Sequence, residues 1–205
     1  MRIALDHIGW LAPDVNRLID VFTALGFRVL GPVPLQSGEA RHPAAQWSAH
    51  VMFRDTYLEL TSVADGAVGN PLHRWRADPP CVRLVLLRAV DAGAERARLA
   101  SAGLPVRDVQ HAERRLIYGA GGVARFRWFD SDSVPGTVVA WVQHLDREAL
   151  FDPDVIDQPN TAYAIEAVHC AATDWPAALA DEDTGNVELC CGAARAGATG
   201  AVVGV

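Results

Sequence analysis

The spacing of apolar positions changes along the chain in an order that then recurs. Ile3, Leu5 and His7 alternate with Arg2, Ala4 and Asp6, so residues 2–10 read as a strand. After Asp14, a good capping residue, Val15, Leu18, Ile19, Phe22 and Leu25 fall at helical spacing; this predicts a helix over 15–25 that Gly26 ends. Phe27–Leu30 reads as a strand broken by Gly31-Pro32-Val33-Pro34, and a loop rich in Gly, His and Pro follows to Ala45. His50–Arg54 and Thr56–Val63 read as two further strands joined at Asp55.

The same order starts again at Val82. Val82–Arg88 reads as a strand, Asp91 as the cap of a helix over 92–102, and Gly103 as its stop. Val106–Gln110, Arg114–Tyr118, Val123–Asp130 and Thr137–Leu145 follow as candidate strands. Asp14 and Asp91 hold the same place in the two copies, in Ala12-Pro13-Asp14 and Ala89-Val90-Asp91. The chain thus divides into one βαβββ module at 1–63, a linker at 64–81, a second module at 82–145, a linker at 146–162 and a partial third module at 163–205. The third opens with an alternating Tyr163–Ala171, continues with a short helix over 175–181, and ends with strands at Val187–Cys191 and Ala201–Val203.

Composition removes several function classes. Half of the 205 residues are hydrophobic and 21% charged, an ordinary globular balance that argues against a disordered chain. No apolar run approaches a membrane span, and the opening Met1–His7 lacks the apolar stretch of a signal peptide, so a cytoplasmic protein with no membrane partner is expected. The net charge of −7 and the lack of a basic run argue against nucleic acid. All 18 basic residues are Arg, which removes Schiff-base chemistry on Lys and the P-loop. There is no Gly-x-Ser-x-Gly elbow, and Gly119-Ala120-Gly121-Gly122 reads as a turn. Cys81, Cys170, Cys190 and Cys191 form no Cys-x-x-Cys and read as reduced, mostly buried thiols.

Several short motifs fall in a particular order: Asp6-His7, Gly26-Phe27, His42-Pro43, Tyr57-Leu58-Glu59-Leu60, Gln143-His144 and Pro159-Asn160. With the doubled strand-helix-three-strand order they resemble the bacterial glyoxalase-like domain proteins of the vicinal oxygen chelate superfamily, over residues 1–171. The resemblance implies an α+β fold in which paired βαβββ modules build a U-shaped mixed sheet. The chain departs from the pattern at Trp47-Ser48-Ala49, where relatives often carry Thr-x-Asn, and at Gln158-Pro159-Asn160, where they often carry His-Pro-Asn.

The superfamily binds a divalent metal with residues from the first and last strands of each module. Carried over residue by residue, this implies His7, Glu59 and His144 as ligands, the last placed by matching Leu60 to Leu145; the fourth position falls on Leu84, which cannot ligate. Two His and one carboxylate suit Fe, Mn, Zn or Ni and leave positions open for a substrate chelated through neighbouring oxygens. Metal-free binding proteins share the fold, and Glu59 could instead pair with an Arg. Glu59 and His50 are candidate catalytic groups, His50 as a fourth ligand or proton shuttle or as a packed core residue. His42, Trp47, Tyr57 and Trp141 are candidate cleft residues, with His42 alternatively a surface loop residue. Trp10, Phe53 and Trp128 are core or cleft wall, and Arg54, Arg125 and Arg127 are carboxylate binders or a solvated strand face. His73 and His111 read as solvated; His169, with Glu188, reads as packing rather than a second metal site.

The functional expectation is a metal-dependent enzyme acting on a small oxygenated molecule, of lyase, isomerase or ring-cleaving dioxygenase type. The alternatives are a non-catalytic small-molecule binding protein and an interaction module. A homodimer is expected through Tyr163–Ala171 and Val187–Val203, whose short sheet leaves unpaired edges.

Overall fold

A computed structural model describes residues 4–37, 42–131, 133–170, 188–191 and 200–204. In chain order the first five elements are β1 (Leu5–Leu11), α1 (Val15–Ala24), β2 (Leu30–Ser37), β3 (His42–Met52) and β4 (Tyr57–Val63). The next five repeat that order as β5 (Cys81–Arg88), α2 (Ala92–Ser101), β6 (Gln110–Leu116), β7 (Gly122–Ser131) and β8 (Val138–His144). Then come α3 (Arg147–Leu150), α4 (Pro153–Ile156), β9 (Ala164–Cys170), β10 (Glu188–Cys191) and β11 (Gly200–Gly204).

The helices begin where capping chemistry places them. Asp14 accepts from the Asn16 amide at 2.9 Å and Asp91 from the Ala94 amide at 2.8 Å, each satisfying an amide that the first helical turn leaves free. Val15, Leu18 and Phe22 of α1, with Ala92 and Leu99 of α2, pack on the outward residues of the sheet, among them Ile8, Leu58, Leu60, Val85, Leu87, Phe129 and Trp141. Ala162, Ile165 and Val168 join this outer core and so bring β9 against it.

The eight strands of the two halves close on themselves in the order β1-β4-β3-β2-β6-β7-β8-β5. The expected curved mixed sheet is present, and it closes because β2 pairs with β6 and β1 with β5. The β1–β5 seam is tight: a Cβ added at Gly9 would lie 2.7 Å from the Leu84 Cβ. β9 is the central strand of a separate sheet, parallel to β10 and antiparallel to β11.

Two expectations about elements need correction. The strand placed at Phe27–Leu30 is instead β2, which runs through both prolines; irregular pairing between Leu30 and Val33, and again between Pro34 and Gln36, absorbs the amides that proline lacks. The strands placed at Val106–Gln110 and Arg114–Tyr118 are the single β6. Its inward positions are Ala112, Arg114 and Leu116, and the charged middle residue breaks the apolar alternation that would reveal it. The helix expected over 175–181 lies outside the described residues. Among the described residues no helix is long and apolar enough to cross a membrane.

Candidate functional site

The barrel interior holds a cavity of about 400 Å³, and its polar groups come mainly from the first half. Alternation along β1 and β4 turns His7, Tyr57 and Glu59 inward, while Ile8, Leu58 and Leu60 face the helices. β3 adds Gln46, Ser48 and His50, all buried. The opposite wall is Leu84 and Leu86 of β5, Ala140 and Val142 of β8, and Phe126 and Trp128 of β7. Polar groups on that side are Arg114 of β6, a cavity-lining cation only 5% exposed, and the more exposed Arg107 and Gln110.

The contacts define the roles. The His7 ring lies over the Tyr57 ring at 4.0 Å, with its Nδ1 2.7 Å from Asp6 Oδ1 and its Nε2 3.5 Å from Glu59 Oε2 and 3.3 Å from the Tyr57 hydroxyl. The carboxylate beneath fixes the ring and leaves Nε2 facing the cavity groups. Gln46 donates to Glu59 Oε1 at 3.4 Å, and Asn70 holds the Gln46 carbonyl oxygen at 2.9 Å. Arg114 donates to His50 Nε2 through Nη1, and its Nη2 lies 3.5 Å from the Tyr57 hydroxyl.

Burial alone would raise the Glu59 carboxyl, but His7 and Arg114 outweigh it and hold it well below the usual carboxylate range. Burial would lower His7, yet its bonds to Asp6 and Glu59 raise it above the ordinary imidazole value. His50 goes the other way: burial and then Arg114 push it well down, so it is a neutral acceptor. Burial raises Tyr57 well above an ordinary phenol, so it remains protonated.

The sequence-derived ligand set is only partly brought together. His7 and Glu59 face each other in the cavity, whereas His144, further along the inward face of β8, comes close to His7 on the Asp6 side, its Nε2 2.9 Å from Asp6 Oδ1. The register explains the misplacement. His7 stands seven residues before Asp14, as Leu84 stands seven before Asp91. His7 pairs with Tyr57 and Leu84 with Val138, so the counterpart of Glu59, two residues beyond, is Ala140. Matching Leu60 to Leu145 had moved the frame by four residues, from Ala140 to His144.

Whether these residues suit a divalent metal can be tested on the donors. In the cavity the four framework positions hold His7, Glu59, Leu84 and Ala140, two donors and two aliphatic side chains, with the Arg114 cation on the same cavity. Asp6, His7 and His144 form a second group, with one donor atom each within 4.8 Å of one another. There Asp6 already bonds both imidazoles, and its other oxygen lies 3.6 Å from both Arg88 and Arg147. A cation would have to displace the former against the repulsion of the latter. The first set does not make the expected two-His, one-carboxylate centre; Asp6, His7 and His144 have that composition and are the residues that could hold a divalent cation.

Other candidates fall elsewhere. Trp47 is 47% exposed on the outer surface, because it alternates with inward Gln46 and Ser48. Trp141 is buried outside the barrel, stacked on Phe129 at 5.1 Å. Neither lines the cavity. Tyr57 does, and His50 stands behind it with ring centroids 5.5 Å apart. His42 opens β3, but its side chain, like those of His169 and Glu188, lies outside the described residues. Arg125 is exposed and pairs with Asp146 at 2.7 Å; Arg54 and His111 are also exposed. Arg114, Gln46 and Asp6 were missed as site residues. The inward phase of β6 could have signalled Arg114 had that strand been recognised whole.

Residues 5–182 match the family described as the glyoxalase-like domain. No curated protein matches the chain. Among solved structures, a hypothetical protein from Staphylococcus aureus superposes with a TM-score of 0.56 at 12% identity, covering 83% of this chain and 70% of that one. Methylmalonyl-CoA epimerase from Mycobacterium tuberculosis gives a TM-score of 0.49 at 17% identity, covering 72% of this chain and 91% of that one. At such identities the likeness concerns fold, and the reaction has to be argued from the site.

Proposed function

The chain belongs to the glyoxalase-like domain family of the vicinal oxygen chelate superfamily, and from that premise we propose that its barrel cavity is the active site of an isomerase- or lyase-type enzyme that moves a proton on a small oxygenated molecule. One observation carries this reading: the buried His7–Glu59 pair opens onto a cavity of about 400 Å³, within the usual size of a small-molecule site. Glu59 is ionised and His7 beside it can donate, so the cavity holds an acceptor and a donor together, with His7 and Arg114 making Glu59 a weaker base than a free carboxylate. Glu59 takes the proton from a carbon next to a carbonyl, and the C–H electron pair moves onto the carbonyl oxygen as an enolate. His7 Nε2 returns a proton to carbon or oxygen, and Asp6 steadies its ring through Nδ1. Asp6, His7 and His144 would be the residues to hold a divalent metal, which would polarise a substrate oxygen; the proton steps are those of Glu59 and His7 themselves.

The test follows deuterium wash-in from D2O into a panel of small 2-oxo and 2-hydroxy compounds by NMR. Wild type is expected to exchange the proton next to the carbonyl, and Glu59→Gln to lose about 10²- to 10⁴-fold in rate, the usual worth of a positioned base. Ligands that bind with no exchange in wild type would instead make this a binding protein of the same fold.

The modules at 1–63 and 82–145, joined by 64–81, remain our reading of the domain organisation, with 163–205 as a partial third unit after the 146–162 linker. We read the sheet β10-β9-β11 as the seat of a homodimer, since among the described residues β10 and β11 are its outer strands, each with one edge unpaired. Sedimentation of the intact chain at micromolar concentration tests this; a monomer contradicts it.

A further inference from the structure

Arg114 is a buried cation in search of an anion. It is 5% exposed, lines the cavity, and has no carboxylate within ion-pair distance among the described residues. Its hydrogen-bond partners are neutral: the His50 imidazole at Nη1 and the Tyr57 hydroxyl at 3.5 Å from Nη2. Its guanidinium carbon lies 5.4 Å from the Phe126 ring centroid and 5.8 Å from that of Tyr57, so it is framed by aromatic surface rather than by water. Its neighbour Glu113 alternates to the other side of β6, and Glu59, which attracts Arg114 across the cavity, makes its close contact with His7 at 3.5 Å instead. A buried charge without a close counterion is costly, and natural proteins keep one where something binds it.

The apolar wall gives the rest of the ligand its character. Leu84, Leu86, Phe126, Trp128, Ala140 and Val142 surround the space with aliphatic and ring surface. In the second half the framework positions Leu84 and Ala140 bring no polar contact to a ligand oxygen, and Arg107, the other cation on the cavity, pairs with Asp130 at 3.0 Å. Arg114 supplies positive charge permanently, with a planar fork suited to a carboxylate.

We propose that Arg114 is the anion-binding group of this cavity, so that the ligand is a small molecule with a carboxylate at one end and an apolar or aromatic body. The proposal rests on the cavity being the functional site.

Benzoate and its neutral isostere benzamide separate the two ideas. Binding to the full chain in EDTA is followed by calorimetry and by the fluorescence of Trp128, which lines the cavity. Benzoate is expected to bind at least about tenfold more tightly than benzamide, the worth of one charge-assisted hydrogen bond. Arg114→Met should erase that preference and leave benzamide unchanged, and Arg114→Lys should restore part of it. If Arg114→Met does not fold, the wild-type pair still decides. Equal binding of the two probes, or benzoate binding only after Mn2+ or Zn2+ is added, overturns the anion proposal and leaves the cavity reading standing. Binding of neither probe overturns both.

Discussion

The two halves of the barrel share an order, a pair of Asp caps and a strand register, yet their interiors differ in kind. Inward from β1, β3 and β4 stand His7, Gln46, Ser48, His50, Tyr57, Glu59 and Thr61. Inward from β5 to β8 stand Leu84, Leu86, Ala112, Phe126, Val138, Ala140 and Val142, with Arg114 and Asp130 as buried charges among the described residues. The outer faces, by contrast, are alike, both apolar and both covered by one helix. The repeated pattern is therefore a constraint on the outside, where helix must meet sheet. Inward positions carry no such constraint, so one half can hold proton chemistry while the other shapes the ligand.

The outer face is where a substitution should cost most. Trp141→Ala removes a buried ring stacked on Phe129 and should lower stability by about 3–5 kcal/mol, whereas Trp47→Ala, on the solvent side of the other half, should stay within about 0.5 kcal/mol. Chemical denaturation measures both, and similar losses would mean that one of the two tryptophans is misplaced. Next is the seam between the halves. Gly9→Ala would press a methyl group onto Leu84 and should cost about 1–3 kcal/mol, read the same way. The caps should come out smaller and equal: Asp14→Ala and Asp91→Ala are each expected to cost about 1 kcal/mol. Markedly unequal losses would break the equivalence of the two outer faces.

The pH dependence sharpens the contrast on the inside. For both Asp6 and Glu59, burial alone would raise the carboxyl; His144 and His7 at Asp6, and His7 and Arg114 at Glu59, outweigh it and hold each below its unfolded value. A carboxyl depressed on folding contributes stability that is complete above its unfolded value, about 4, and is lost as pH falls below it. Wild type should therefore lose stability progressively as pH falls below about 5, with the loss continuing below about pH 3, and Asp6→Asn should flatten that slope. Denaturant melts at stepped pH give the comparison, and a slope unchanged by Asp6→Asn would show that Asp6 is not ionised in the fold.

How far the sequence could be read follows the same division. The helices, their caps and most outward strands were legible because Asp14, Asp91 and the spacing of Val15, Leu18 and Phe22 are local signals. β2 was misread because two prolines look like a break unless the irregular pairing that accommodates them is known. β6 was split because its inward centre is Arg114, and the reason for a charge there lies across the barrel, at Tyr57 and His50. In the site, His7, Tyr57 and Glu59 could be found from Asp6-His7 and Tyr57–Leu60. His144 was misplaced because the pairing of β5 with β8, and not any motif, sets which residue of β8 answers to Glu59.

The most direct test is equilibrium dialysis of the intact wild-type chain against Zn2+ and Mn2+, with His7→Ala, Glu59→Gln and His144→Ala beside it. With Leu84 and Ala140 at the second pair of framework positions and Asp6 between two arginines, the expected result is no stoichiometric metal that depends on all three residues. One bound equivalent, lost in each of the three variants, would contradict it and restore the centre of His7, Glu59 and His144.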